Sequence, residues 1–230
     1  MSDRNVLIVG ASRGIGLGLV KEYLAKGDRV VATVRDRPKA TDLAALASGA
    51  GKLTIETVDT ADGKSAEALR ERLADETFDI VIVNAGVGGP QANPRTVTDD
   101  DFNTLFLTNS LGPIRLAEIL VKQVKPKTGV IGLMTSQLGS VEGAKAGGVE
   151  LYRASKAALN SFTRSFAARH KDKGITVLSL HPGWVKTDMG GAGADIDVET
   201  STKGLVEVVE RAEKDRQDGF FNYKGETLPW

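Results

Sequence analysis

The 230-residue chain contains no cysteine and only two histidines. Without thiols there is no disulfide scaffold, no thiolate metal site and no cysteine nucleophile, a composition that suits a reducing compartment. His170 and His181 are too few to build a histidine-rich centre, so no metal site is expected. Long apolar runs are missing as well. Residues 6–9 and 80–83 fall far short of the ~18 apolar residues of a membrane helix, and Met1-Ser2-Asp3-Arg4-Asn5 is too polar to open a secretory signal. Nor does one charge dominate, since 30 basic residues balance 30 acidic ones. That excludes the basic footprint of a nucleic-acid partner and the polybasic face of an anionic-membrane binder. The expected setting is the cytoplasm, and nothing in the residues decides between a monomer and a homo-oligomer.

What is present is enough for one sizeable core, with 41% hydrophobic residues and no linker dividing the chain, so residues 1–230 read as a single domain. Short β-branched runs recur at residues 6–9, 30–34, 53–58, 80–83, 130–134 and 175–180, separated by stretches of helical period. Ile15, Leu19, Tyr23 and Leu24 mark one such helical face. Phe102, Leu105 and Phe106 begin another helix, and Leu159, Phe162 and Phe166 form the inner face of a third. Strands apolar at nearly every position need helices on both faces. The fold class is therefore α/β, a doubly wound, Rossmann-type parallel sheet.

Directly after the first strand comes Gly10-Ala11-Ser12-Arg13-Gly14-Ile15-Gly16, opening a helix whose N–H groups can face a pyrophosphate. The second strand ends at Val34, where an NAD-binding chain would carry an acid for the ribose hydroxyls. Arg35 follows, and with Arg13 it offers two guanidinium groups for the 2′-phosphate that distinguishes NADP. Tyr152 and Lys156 stand four apart in a helical segment and share a face. An ammonium one turn from a phenol favours the phenolate and suits the phenol to acid–base work. Ser136 closes a strand at the carboxyl edge of the sheet, where its hydroxyl can polarise a carbonyl oxygen. Asn109 falls on the buried side of its helix, and Pro113, lacking an N–H for the Asn109 carbonyl, predicts a kink there.

The Gly-x-x-x-Gly-x-Gly spacing, Asn84-Ala85-Gly86, Asn109, Ser136, the Tyr152–Lys156 pair and Pro182-Gly183 occur in the order of the short-chain dehydrogenase/reductase family, which the chain resembles over nearly its whole length. The wording around Tyr152, the segment from Pro182 to Met189 and Gly225-Glu226-Thr227-Leu228-Pro229-Trp230 resemble its sniffer- and C-factor-like carbonyl reductase branch. The resemblance implies NADPH-dependent reduction of an aldehyde or ketone. Tyr152 would give the proton, Ser136 would hold the oxygen, Lys156 would bind ribose hydroxyls, and Asn109 would hold a water linked to the lysine. It places Asp59 near the adenine, Asn84, Ala85 and Gly86 at the cofactor crevice, and Val185 and Thr187 against the carboxamide. Asp59 can equally be a turn residue, and Asn-Ala-Gly a plain turn after a strand. Within the residue reading, His181 is structural and His170 a solvated helix end. The glycines of Asp188-Met189-Gly190-Gly191-Ala192-Gly193-Ala194-Asp195 predict a mobile loop over an open pocket. The alternative function is an NADP(H)-binding signalling or redox-sensing protein with little turnover. A sugar-nucleotide epimerase would need a larger C-terminal domain.

Overall fold

The six apolar runs form six strands, each bound within one residue of expectation: β1 (Asn5–Val9), β2 (Arg29–Val34), β3 (Leu53–Thr57), β4 (Ile80–Val83), β5 (Val130–Met134) and β6 (Thr176–His181). A strand that the runs do not announce, β7 (Gly219–Asn222), adds to the far edge. The computed structural model describes residues 4–49, 51–90 and 94–230, so the polar start at Met1-Ser2-Asp3 lies outside the described residues. The seven strands stand in the order β3-β2-β1-β4-β5-β6-β7, every neighbouring pair parallel. Val6 is the register partner of both Val30 and Ile80. The winding reverses between β1 and β4, and at such a switch point the loops leaving the two strands part and open a crevice at their carboxyl ends.

Among the described residues seven α-helices cover the sheet: α1 (Gly14–Ala25), α2 (Thr41–Gly49), α3 (Gly63–Arg72), α4 (Asp99–Phe106), α5 (Gly112–Leu120), α6 (Glu150–Arg169) and α7 (Val198–Asp215). Alternate side chains of a strand point to opposite faces, so Val6 and Ile8 pack with Leu19, Tyr23, Leu205 and Val209 of α1 and α7. Leu7 and Val9 enter the other layer, with Leu69, Leu116, Leu159 and Phe166 of α3, α5 and α6. Starts of helices are set locally. Thr98 accepts from the Asp101 N–H and the Asp101 carboxylate accepts from the Thr98 N–H, both at 3.1 Å, a reciprocal cap.

Two aromatic positions differ from expectation. Phe102 is 46% exposed and stacks on Phe106 at the surface, and Phe162 is 41% exposed. The cause for Phe102 is a π-helical turn at Leu107–Leu111, joining α4 to α5. A π turn takes up an extra residue and shifts the helical phase, so Asn109 is fully buried while Phe102, seven residues earlier, faces outward.

Candidate active site

At the end of β1 the chain turns at Gly10 with φ +83°, a conformation strained for residues with a Cβ. A Cβ on Gly10 would stand 2.9 Å from the Ala85 backbone, and one on Gly16 would strike the Gly10 carbonyl. The Asn84 amide donates to that same carbonyl at 2.9 Å. Asn84-Ala85-Gly86 is thus the buttress of the glycine turn, which clarifies a motif that could have been a plain turn. Arg13 stands at the N-cap of α1 without a side-chain cap bond. The first-turn N–H groups, with Ser12 and Ile15 flanking them, are left for another acceptor, and this cradle fits a pyrophosphate.

The two arginines have different surroundings. Arg35 is exposed at the end of β2 and makes no ion pair among the described residues. Arg13 reaches across the crevice to Asp188 at 2.7 Å. Asp59 uses one carboxylate oxygen to accept from the Ala61 N–H at 3.0 Å, a turn role at the end of β3.

The candidate catalytic groups gather at the carboxyl ends of β4 and β5. Ser136 opens a short 3₁₀ turn, its Oγ accepting from the Leu138 N–H at 3.1 Å, and its hydroxyl lies beside the Tyr152 phenol, whose pKa it lowers. Lys156 lies one turn further along α6, with Nζ 5.8 Å from the centre of the tyrosine ring. Burial pushes the phenol upward, offset in part by Ser136. Burial also pulls the Lys156 ammonium down to about 8. In the protein alone, then, desolvation governs the phenol, while Nζ donates to the Met134 carbonyl at 2.9 Å.

Asn109 sits in the π turn and clasps one residue, accepting from the Val87 N–H at 2.8 Å and donating to the Val87 carbonyl at 2.9 Å. Its amide also reaches Ser155 Oγ at 3.2 Å. A Cβ on Gly86 would stand 3.3 Å from Asn109 Oδ1 and 3.4 Å from Lys156 Nζ. The bare glycine is what lets both polar ends approach one spot beside the crevice.

The outer wall follows β6. Gly183 turns at φ +86°, and the Pro182 carbonyl accepts from Ser201 at 2.7 Å. Val185 is buried and bridges to Ile196. Thr187 faces the glycine turn, its methyl 3.3 Å from where a Cβ on Gly14 would be. Its hydroxyl donates to the Val185 carbonyl and accepts from the Gly190 N–H. The loop expected to be mobile is tied down. Trp184 Nε1 donates to the Gly190 carbonyl at 2.9 Å and the Gly191 N–H donates to Thr187 at 2.8 Å. His181 is buried at the end of β6, and burial pulls it to about 4. His170 is not solvated: it lies 2.8 Å from Glu118 and packs on Phe166.

Several contributors escape a reading of the sequence. Val87 and Met134 act through backbone groups that any residue supplies, so their identities carry no signal. Asp188 reveals its role only once the fold sets it opposite Arg13. Next to Tyr152, a Cβ on Gly89 would meet Leu105 at 3.1 Å and Tyr152 Cβ at 3.5 Å, and one on Gly88 would meet Met189 at 3.6 Å. Those bare positions and the exposed Met189 and Trp184 give the site apolar edges. A separate cavity of about 410 Å³ lies between the starts of α4 and α6. It is reached by Leu151 and Ala154, which are turned roughly 100° and 200° from Tyr152 around the helix, so it is not the reacting site. Among the described residues no cluster could hold a metal ion, and no helix is long and apolar enough to cross a membrane.

Similarity to known proteins agrees with this geometry. Residues 4–195 match the short chain dehydrogenase family. The structure superposes on a carbonyl reductase of Pseudomonas aeruginosa PAO1 in complex with NADP with a TM-score of 0.91, at 42% identity over 100% of both chains. On the carbonyl reductase Sniffer of D. melanogaster the TM-score is 0.92, at 33% identity, again over 100% of both chains. C-signal of Myxococcus xanthus is 35% identical over 153 residues, which are 66% of this chain and 92% of that protein. With likeness extending along its whole length, the chain belongs to the short-chain dehydrogenase family and is an oxidoreductase.

Proposed function

We propose that the protein is an NADPH-dependent carbonyl reductase acting on hydrophobic aldehydes or ketones. The observation that carries this reading is the meeting of Ser136, Tyr152 and Lys156 at the crevice formed by the glycine turn and Gly86. NADPH supplies the hydride when bound. The N–H groups at the start of α1, from Gly14 to Gly16, would hold its pyrophosphate, Arg35 and Arg13 its 2′-phosphate, and Val185 and Thr187 its carboxamide. Ser136 donates a hydrogen bond to the carbonyl oxygen, where negative charge develops during reduction. Tyr152 Oη gives that oxygen a proton, and burial suits the phenol to this task by holding it protonated in the resting protein. Lys156 replaces its bond to the Met134 carbonyl with ribose hydroxyls and carries charge toward the phenol as the proton leaves. Asn109 holds the Gly86–Val87 backbone beside Lys156 and lies where a water could link the ammonium to solvent.

NADPH oxidation against a panel of aldehydes, ketones, quinones and diketones tests the reading. Tyr152→Phe keeps the ring and removes the proton donor, so turnover should fall by at least about 100-fold while NADPH affinity changes little. Retained turnover would remove Tyr152 from the chemistry. Tight NADPH binding with no carbonyl reduced would favour instead a signalling or sensing role, the alternative that likeness to C-signal brings forward.

A further inference from the structure

Residues 225–230, a stretch the proposed chemistry leaves unused, fold back from β7 toward the catalytic serine. The Leu228 N–H donates to the Phe220 carbonyl at 2.8 Å, and Thr227 pairs antiparallel with Phe221. This hairpin lays the Trp230 ring 5.5 Å from that of buried Phe220, with the Arg164 guanidinium 5.2 Å over it. So held, the Trp230 carbonyl accepts from the Glu142 N–H at 3.1 Å and from the Ser140 hydroxyl at 3.4 Å.

Both donors belong to the segment that Ser136 begins. The Gly139 N–H donates to the Ser136 carbonyl at 2.8 Å, the Ser140 N–H to Gln137 at 3.0 Å, and the Gly143 N–H to Ser140 Oγ at 2.9 Å. From the other side α6 grips the same turn. A Cβ on Gly139 would lie 2.8 Å from the Lys156 backbone, and the Asn160 amide donates to the Gly139 carbonyl at 3.2 Å. Among the described residues, the hydrogen bonds that Ser140 to Lys145 make outside their own turns go to Trp230. Beyond them, residues 141–148 are exposed.

We propose that Trp230 is a positioning residue: through its backbone oxygen it clamps the segment 136–143 against α6, so that the Ser136 hydroxyl stays beside Tyr152. The proposal rests on the roles given above to Ser136 and Tyr152. Positioning of this kind is worth much in rate because a displacement near 1 Å at a reacting group costs up to about 100-fold. It also bears on the phenol, whose proton affinity Ser136 reduces.

The test compares Trp230→Ala, Trp230→Phe and Ser136→Ala in the NADPH-bound enzyme. Trp230→Ala should lower kcat for carbonyl reduction about tenfold with NADPH affinity held within about twofold. The alkaline limb of its kcat–pH profile should move to higher pH, because a loosened Ser136 no longer favours the phenolate. Trp230→Phe, which keeps an aromatic anchor on Phe220, should restore most of the rate and the parent pH profile. A Trp230→Ala enzyme with parent kcat and profile, or one whose NADPH affinity falls in step with kcat, overturns the proposal. Should that variant not fold, Ser140→Ala removes one of the two bonds with the tryptophan in place, and an unchanged kcat there overturns it equally. Ser136→Ala separates the two layers: intact turnover sinks the catalytic reading and the clamp together, whereas collapse of Ser136→Ala beside an unaffected Trp230→Ala sinks the clamp alone.

Discussion

Arg13 and Arg35 carry the same charge on neighbouring loops, yet their surroundings give them different parts in cofactor choice. Arg13 is paired with Asp188, and both side chains are about three-quarters exposed, at 76% and 74%. An ion pair so open to solvent is worth roughly 0–1 kcal/mol and exchanges easily for a phosphate. Arg35 has no such competitor, so it should dominate recognition of the 2′-phosphate. A charge-assisted hydrogen bond contributes about 1.5–3 kcal/mol, so Arg35→Asp should shift the ratio of NADPH to NADH affinity by on the order of 10- to 100-fold or more. Arg13→Ala should cost less, and Asp188→Asn should tighten NADPH. Titrations of all three variants with both cofactors decide it, and an Arg35→Asp protein with the parent's preference would place the phosphate elsewhere. These arginines were legible in the sequence because position after a strand and charge are both written there. The pairing of Arg13 was not, since Asp188 is 175 residues away and meets it only in space. The same divide runs through the reacting groups. Tyr152 and Lys156 are local to one helix, whereas the carbonyl of Met134 that turns Nζ aside has no sequence signature.

At the scale of elements, the α4–α5 connection decides where Asn109 points. Pro113 was readable as a break, because a residue without an N–H cannot continue the ladder. The form of the break was not, because a kink keeps the helical phase roughly and a π turn does not. Here Gly112 donates to Leu107 across five residues, and its missing Cβ leaves room for the Thr60 backbone. That shift brings the Asn109 amide onto Val87 and leaves Phe102 at the surface. Pro113→Ala restores an N–H and allows the turn to relax toward α-helix, rotating Asn109 by up to about 100° away from Val87 and the Lys156 side. Turnover should drop about tenfold or more while the melting temperature changes by only a few degrees, since the helix gains a bond as the site loses one. Unchanged turnover, or a crystal structure of the variant with the π turn intact, would show that the sequence around Asn109 holds the turn without the proline.

Across the whole molecule, six strands and both buried layers were legible because continuous β-branched runs have few alternatives to a two-sided parallel sheet. β7 was not, since Gly219-Phe220-Phe221-Asn222 is four residues long and gains its meaning from docking beside β6. That docking buries His181, the register partner of Asn222, and leaves its Nδ1 without a hydrogen-bond partner among the described residues. A consequence follows for the stability of the entire fold. Burial holds the folded imidazole at about 4, against an ordinary 6.5, so between those values the unfolded chain binds more protons than the folded one. Stability must then be fully present above about pH 6.5 and decline as pH falls toward 4, by on the order of 2–3 kcal/mol from this residue. Carboxylates titrate in the same range, so the contribution is read as a difference. His181→Gln cannot take up the proton, and its unfolding free energy from urea titrations should fall less steeply than the parent's between pH 7 and 4. Parallel curves for the two proteins would mean that the imidazole reaches solvent and takes its proton without unfolding the β6–β7 edge.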